Sequence, residues 1–373
     1  MTPSNEPSIS LISLISLTNE AATRVLDEAE TRFQAGDYAG AGAIFHRAWD
    51  AGDQPAGVRY ATCLRLAGFA RPALQVCQKI ARSAPYDLAV RTELAWNLFE
   101  VTLQPLQIRH DLAALQQAAS AILAQGAGPA TAQAVFVVLD AAVAQGDWSL
   151  VAAWCDRLRP ADLDDRPPPT VQPGAFSESP RLRWYRHKTR ALLMLNHWAE
   201  ARSLALQAQG LYPHRSIFPR LAAQALAGQG KLLDAYEELQ ALCARWPLAW
   251  PPPMDLARLA QQLGRGDEAL RLACRAALLP GEDAQKTALF ALLADIIAGQ
   301  GEFFLAACHV VLARSWHTRQ HLAYPAGLKR LEGRLRAALA SAGQSFPDVT
   351  LGGIAAIRQR CFTYWQAIAK IDN

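Results

Sequence analysis

No Lys or Arg precedes Arg24, no two cysteines stand as C-x-x-C, and no apolar run is long enough to span a bilayer. Each absence closes a class of function. The stretch Ile9-Ser10-Leu11-Ile12-Ser13-Leu14-Ile15-Ser16-Leu17 has the apolar length of a signal peptide but no basic residues ahead of it, so it is expected to be a flexible leader over 1–19. The seven cysteines, Cys63, Cys77, Cys155, Cys243, Cys274, Cys308 and Cys361, are too scattered for a disulfide framework or a zinc cluster. Cys77 and Cys155 fall in the second-helix slot that Leu239 holds and are expected to be small core residues, and the chain is expected to be a reduced, cytoplasmic protein with no membrane contact. The fingerprints H-E-x-x-H, G-x-S-x-G and G-x-x-x-x-G-K-[ST] are missing as well. Gly230-Lys231 follows Ala225 where a phosphate loop needs its first glycine, and Gly264-Arg265-Gly266 follows a helical pattern where a dinucleotide fingerprint needs a strand. No catalytic residue and no cofactor is expected, and the chain is not expected to be an enzyme.

Charge is sparse and nearly balanced. Charged residues make up 19% and hydrophobic ones 51%, which excludes a mostly disordered chain, and a net charge of +4 is too small to argue for nucleic acid by itself. The positive side chains are mostly Arg, whose planar fork suits carboxylate or phosphate. His317 and His321 could share a helix face with His309 nearby in sequence. They lack the further ligands zinc requires, so no metal is expected.

What the sequence does contain is a repeat. Gly230-Lys231-Leu232, Ala235, Leu239, Leu242 and Pro247 are answered, about 34 residues on, by Gly264-Arg265-Gly266, Ala269, Ala273 and Ala276. The same interval back meets Asn196-His197-Trp198, Ala201, Ala205, Ala208 and Pro213. Small residues at i, i+4 and i+7 form one helical stripe that lets a partner helix approach closely, Gly ends the first helix, and Pro ends the second. Earlier hairpins fit at Ala29, Phe33, Gly36-Asp37-Tyr38, Ala41 and Phe45, and at Tyr60, Gly68-Phe69, Ala73 and Cys77. A third unit, Leu94-Ala95-Trp96-Asn97-Leu98-Phe99, lacks its Gly turn, with a second helix expected from about Pro105. A fourth turns at Gly146-Asp147-Trp148, and a last at Gly301-Glu302-Phe303.

This pattern resembles the tetratricopeptide repeat (TPR) family over most of residues 20 to 316. The resemblance implies an all-α, TPR-like solenoid of helical hairpins, a right-handed superhelix of about seven repeats with a C-terminal helical cap. The expected organisation is a leader at 1–19, an N-terminal TPR-like segment at 20–159, a Pro-rich linker or loop at 160–180, a C-terminal TPR segment at 181–316 and a helical cap at 317–373.

The candidate site follows from register. Arg183, Arg186 and Arg190 precede the turn residue Asn196 at spacings of three and four, so they share one stripe of a first helix, while Tyr185, Thr189 and Leu192 share the stripe that must face the partner helix. In the family this resembles, the first set of offsets lines a concave groove where partner peptides lie. The equivalent offsets are Arg220 and Gln224 in the next unit, then Arg258 with Gln261 and Gln262 in the one after. The resulting strip suits an acidic peptide or protein segment held by a non-enzymatic scaffold or adaptor. The same arginines could instead be a solvated face balanced by Glu and Asp of neighbouring helices. Trp96, Phe99 and Phe136 near groove offsets are either an apolar docking patch or core.

A narrower resemblance joins Leu94–Phe99, Lys286–Asp295 and Tyr324-Pro325-Ala326-Gly327-Leu328 to the helical part of bacterial conflict-system proteins that carry an S1 or cold-shock-like domain. It implies the alternative function, an accessory protein of a nucleic-acid-handling or defence system that touches phosphate through these arginines. No Gly- and aromatic-rich strand pattern for such a barrel is present.

Overall fold

The computed structural model describes residues 11–109, 111–166, 178–319, 324–347 and 351–370, and every regular element among them is helical. In chain order the helices are α1 (Leu11–Gln34), α2 (Tyr38–Asp50), α3 (Gln54–Leu66), α4 (Ala70–Ser83), α5 (Leu88–Leu98), α6 (Leu112–Leu123), α7 (Pro129–Gln145) and α8 (Trp148–Cys155). They continue as α9 (Pro180–Met194), α10 (Trp198–Leu211), α11 (Ile217–Gly228), α12 (Leu232–Arg245), α13 (Pro251–Gln262), α14 (Gly266–Leu278), α15 (Thr287–Gly299) and α16 (Phe303–Arg319). Helices α17 (Ala326–Ser341) and α18 (Leu351–Ala369) close the order. The expected leader enters α1 at Leu11, and its first ten residues lie outside the described ones, as does the stretch 167–177 of the Pro-rich segment. Contacts divide the chain into two compact units, Met1–Ala141 and Ala142–Asn373.

In the first unit the hairpins α1/α2 and α3/α4 are knitted by small residues. Ala29, Ala41, Phe45, Ala56 and Cys63 form one buried cluster. The third hairpin departs from the pattern. Helix α5 widens into a π-segment over Phe99–Leu103 and tightens to a 3₁₀ segment over Gln104–Arg109. The second helix expected from about Pro105 therefore begins only at Leu112. Pro105 has no amide to continue the ladder, and Asp111 supplies a new start by accepting the Ala114 N–H at 3.1 Å. Glu93 and Glu100, one on α5 and one on the π-segment, both reach Arg65 of α3, at 2.7 and 3.2 Å. Phe99 is core, at 8% exposure, as is Phe136 at 2%, while Trp96 is half-buried beneath the Arg65 guanidinium.

In the second unit the turn chemistry repeats. At Gly230 (φ 82°) the amide donates to Ala227 O at 2.9 Å and the following Lys231 amide to Leu226 O at 3.2 Å, closing α11. Asn196 performs the same turn at φ 63°, its amide donating to Leu193 O at 3.1 Å and that of His197 to Leu192 O at 2.9 Å. It is the one non-glycine residue with positive φ among the described residues. Anchor alanines Ala201, Ala235, Ala269 and Ala306 are all at 0% exposure, so second helices lie close against first ones. One continuous apolar core runs from Ala223 of α11 to Trp365 of α18.

The end of the second unit is built differently from a simple continuation. Helix α17 packs on α16, and α18 turns back onto α14 and α16. Trp365 of α18, at 1% exposure, stacks on Phe290 with ring centroids 5.7 Å apart, and its indole N–H donates to His309 Nε2 at 2.9 Å. His309 Nδ1 donates in turn to Leu305 O at 2.8 Å, so the imidazole is neutral with both nitrogens satisfied. Complete burial lowers its pKa to about 4.

The seven cysteines are free thiols. All but Cys243 are buried, and burial pushes Cys77, Cys155 and Cys274 up to about 12 and Cys63 and Cys243 up to about 11. No helix among the described residues is long and apolar enough to cross a membrane.

Candidate binding groove

Three first helices carry the eight residues singled out by register. Arg183, Arg186 and Arg190 lie on α9, Arg220 and Gln224 on α11, and Arg258, Gln261 and Gln262 on α13. Helix α11 packs against both α9 and α13, so the three helices form a row. On α9, Tyr185, Thr189 and Leu192 are buried, as is His187 between the arginines, while Arg183 and Arg186 are half-buried and Arg190 is exposed at the level of the whole residue. Helix α9 starts cleanly because Ser179 accepts the Leu182 N–H and Pro180 occupies the first turn, where a missing amide costs nothing.

The arginines differ in what already holds them. Arg186 pairs with Glu178 at 3.0 Å. On α11, Arg220 directs Nε and Nη2 at Asp255 Oδ2, each at 2.7 Å, and Arg258 Nη1 lies 3.5 Å from Oδ1 of the same carboxylate. Asp255 is thus shared by two strip arginines. Arg190 has no carboxylate within ion-pair distance among the described residues; it lies over the Trp148 ring at 5.5 Å. Its pKa is lowered by desolvation and by the like charges of Arg186 and Arg220, which places three guanidinium groups within electrostatic reach of one another. Gln261 donates to Asp295 at 3.1 Å, which also takes Arg334 at 3.3 Å, so this residue is turned toward α15.

Asp255 is the residue that groove offsets alone do not reveal. It stands on α13, which opens with Pro251, Pro252 and Pro253, and its side chain is only 2% exposed. Near a helix N-terminus the carboxylate is favoured by the helix dipole. Its Oδ1 has no hydrogen-bond donor, a cost of about 1–3 kcal/mol for a buried polar atom. A signal for it exists in the sequence: polar partners here recur about one repeat apart, as with the ion pairs of Arg220 and Asp255 and of Arg202 and Glu238, or the Tyr236 hydroxyl donating to Glu268.

Beside Asp255 is a cavity of about 280 Å³ whose walls include Met194, Trp198, Gln224, Arg258, Leu259 and Gln262. Three of the eight sequence-predicted residues therefore border one cavity. Gly228 makes the wall possible, because a Cβ there would meet the Trp198 ring at 2.4 Å.

Of the histidines considered for metal, His317 is half-buried with an unpartnered Nδ1, and His321 lies outside the described residues. Among the described residues no group of three metal-ligating side chains occurs.

No protein-family model and no curated protein matches this chain. Solved structures do. A tetratricopeptide repeat protein from Parabacteroides merdae is 11% identical, with a TM-score of 0.36 over 74% of this chain and 99% of that one. The C-terminal part of a TPR repeat-containing protein from Cytophaga hutchinsonii is 15% identical, with a TM-score of 0.37 over 73% and 95%. A thermophilic TPR protein in Thermus thermophilus is 15% identical, with a TM-score of 0.28 over 66% and 99%. The chain is an all-α, TPR-like array, as its own turns and helix pairings show. None of the three descriptions speaks of a conflict system.

Proposed function

We propose that this protein is a non-enzymatic interaction scaffold that holds an acidic peptide or protein segment along α9, α11 and α13. The observation that carries the reading is Arg190, which lies near Arg186 and Arg220 and, unlike them, pairs with no carboxylate among the described residues. With Arg186 held by Glu178 and Arg220 by Asp255, Arg190 is the member of this cluster left for an incoming anion, and a guanidinium fork recognises a carboxylate in two-point fashion. Arg183 belongs to the same stripe. Arg220 and Arg258 are positioned by Asp255 and shape the site more than they charge it.

The test begins with capture of partners from the native cell by the full chain, followed by mass spectrometry. A captured segment is then titrated against wild type and Arg190→Glu. The expected outcome is an Asp- or Glu-rich segment whose affinity falls more than tenfold on charge reversal; unchanged binding removes the reading. Salt titration identifies the anion. Phosphate backbone loses affinity steeply with salt because counterions are released, whereas a peptide carboxylate held by one or two arginines gives a shallow slope.

A further inference from the structure

Helix α13 borders two cavities. Asp255, Arg258 and Gln262 line the one beside the first helices, whereas Pro253 and Leu256 line another, of about 350 Å³, whose sides are the second helices α12 and α14. Both of these helices pack on α13, and the cavity occupies the gap between them. One end is spanned by a bridge from α12 to α14: the Tyr236 hydroxyl donates to Glu268 Oε1, and Glu268 Oε2 lies 3.6 Å from Arg265 Nη1. The carboxylate in the wall is therefore already neutralised. Arg271 and Arg275 follow Glu268 on α14 at intervals of three and four, so the three side chains share one stripe of the helix. Arg275 makes no ion pair with any described carboxylate. On α12, Cys243 adds no negative charge at neutral pH, because burial pushes its thiol up to about 11. Where α12 and α14 end, the wall turns apolar with Trp246, Pro247 and Leu279. Arg245 lies over the Trp246 ring at 4.5 Å and donates to Pro213 O, which holds the indole in place.

We infer that this cavity binds a small aromatic monocarboxylate, with its carboxylate on Arg275 and its ring system against Trp246, Leu256 and Leu279. Charge supports the assignment: one unpaired guanidinium matches one negative charge, and Glu268 disfavours a doubly charged phosphate at the same place. Size supports it as well. A cavity of about 150 Å³ holds benzene, so about 350 Å³ holds two fused rings and a carboxylate. Apolar walls with a few placed polar groups are the ordinary make-up of a small-molecule site. The cavity shares none of the eight residues predicted along α9, α11 and α13, so this assignment stands or falls apart from the acidic-segment reading.

The experiment is calorimetric titration of the full chain with 2-naphthoate, with 2-naphthamide as its uncharged counterpart and 2-naphthyl phosphate as its doubly charged one. Saturable binding of the carboxylate is expected, weaker by at least about tenfold for the amide and for wild-type ligand against Arg275→Ala, as the loss of a charge-assisted contact requires. The phosphate is expected to bind more weakly than the carboxylate. Half-buried Cys243 reports where the ligand sits. Its alkylation by iodoacetamide, followed in the Cys243 peptide by mass spectrometry, is expected to slow several-fold under saturating 2-naphthoate. Arg275 is exposed, and circular dichroism checks that Arg275→Ala keeps the fold. Gln240→Phe, at a second exposed position of the wall, is expected to fill the cavity and weaken binding several-fold, and it decides the matter if Arg275→Ala does not fold. No saturable binding, equal affinity for the amide, tighter binding of the phosphate, folded variants that bind as wild type does, or a Cys243 left as reactive as before overturns the inference.

Discussion

At the scale of single residues, the arginine stripe of α9 is legible from spacing alone, because three- and four-residue intervals leave no choice of face once the turn is placed at Asn196. The partner that holds Arg220 is hidden in the same sequence. Asp255 is 35 residues away and follows three prolines that read as a breaker, although the first turn of a helix accepts them. His309 shows a second kind of illegibility. As one His among apolar neighbours it reads as a potential ligand, yet it is a buried acceptor for Trp365 and donor to Leu305. Its pKa of about 4 in the folded protein is below its ordinary 6.5, so the unfolded chain takes up a proton first as pH falls. The resulting stability is intact above pH 6.5, declines between 6.5 and 4, and is flat below, a loss of about 3 kcal/mol in all. Urea unfolding of wild type and His309→Gln across this range checks it: the variant is expected to lack that share of the slope.

At the scale of helices, hairpin order follows from small residues and turn glycines, whereas the α5–α6 connection does not, because a π-segment leaves no periodic mark that separates it from ordinary helix. Capping differs along the chain in a way that suggests its own test. Asp37, Asp53, Asp87, Asp111 and Asp147 each accept an amide at the start of a helix, while α10, α12 and α14 begin at His197, Lys231 and Arg265 with no side-chain cap. Lys231 has φ −86° and ψ 62°, close to the φ −84° and ψ 81° of the capping Asp147. Lys231→Asp is therefore expected to stabilise α12 by about 1 kcal/mol, by adding a cap and removing a cation from a helix N-terminus. A raised urea midpoint with unchanged slope is the expected result.

At the scale of the whole chain, a repeat array stores its stability in each hairpin and in each interface with its neighbour. Helix α18 adds a contact of a different kind by lying across both α14 and α16. Trp365→Ala is expected to cost about 3–5 kcal/mol locally, as for other large buried aromatics. Hydrogen exchange should then show amides of α14 and α16 losing protection well before those of α9 and α10, and uniform loss would argue against local storage. The buried thiols offer a native means of following such events. Cys63, Cys77, Cys155, Cys274, Cys308 and Cys361 are spread over α3, α4, α8, α14, α16 and α18. A maleimide reagent at neutral pH thus encounters each sulfur only when the helix that shields it swings open, and the order of alkylation along the chain becomes a map of which hairpin breathes first.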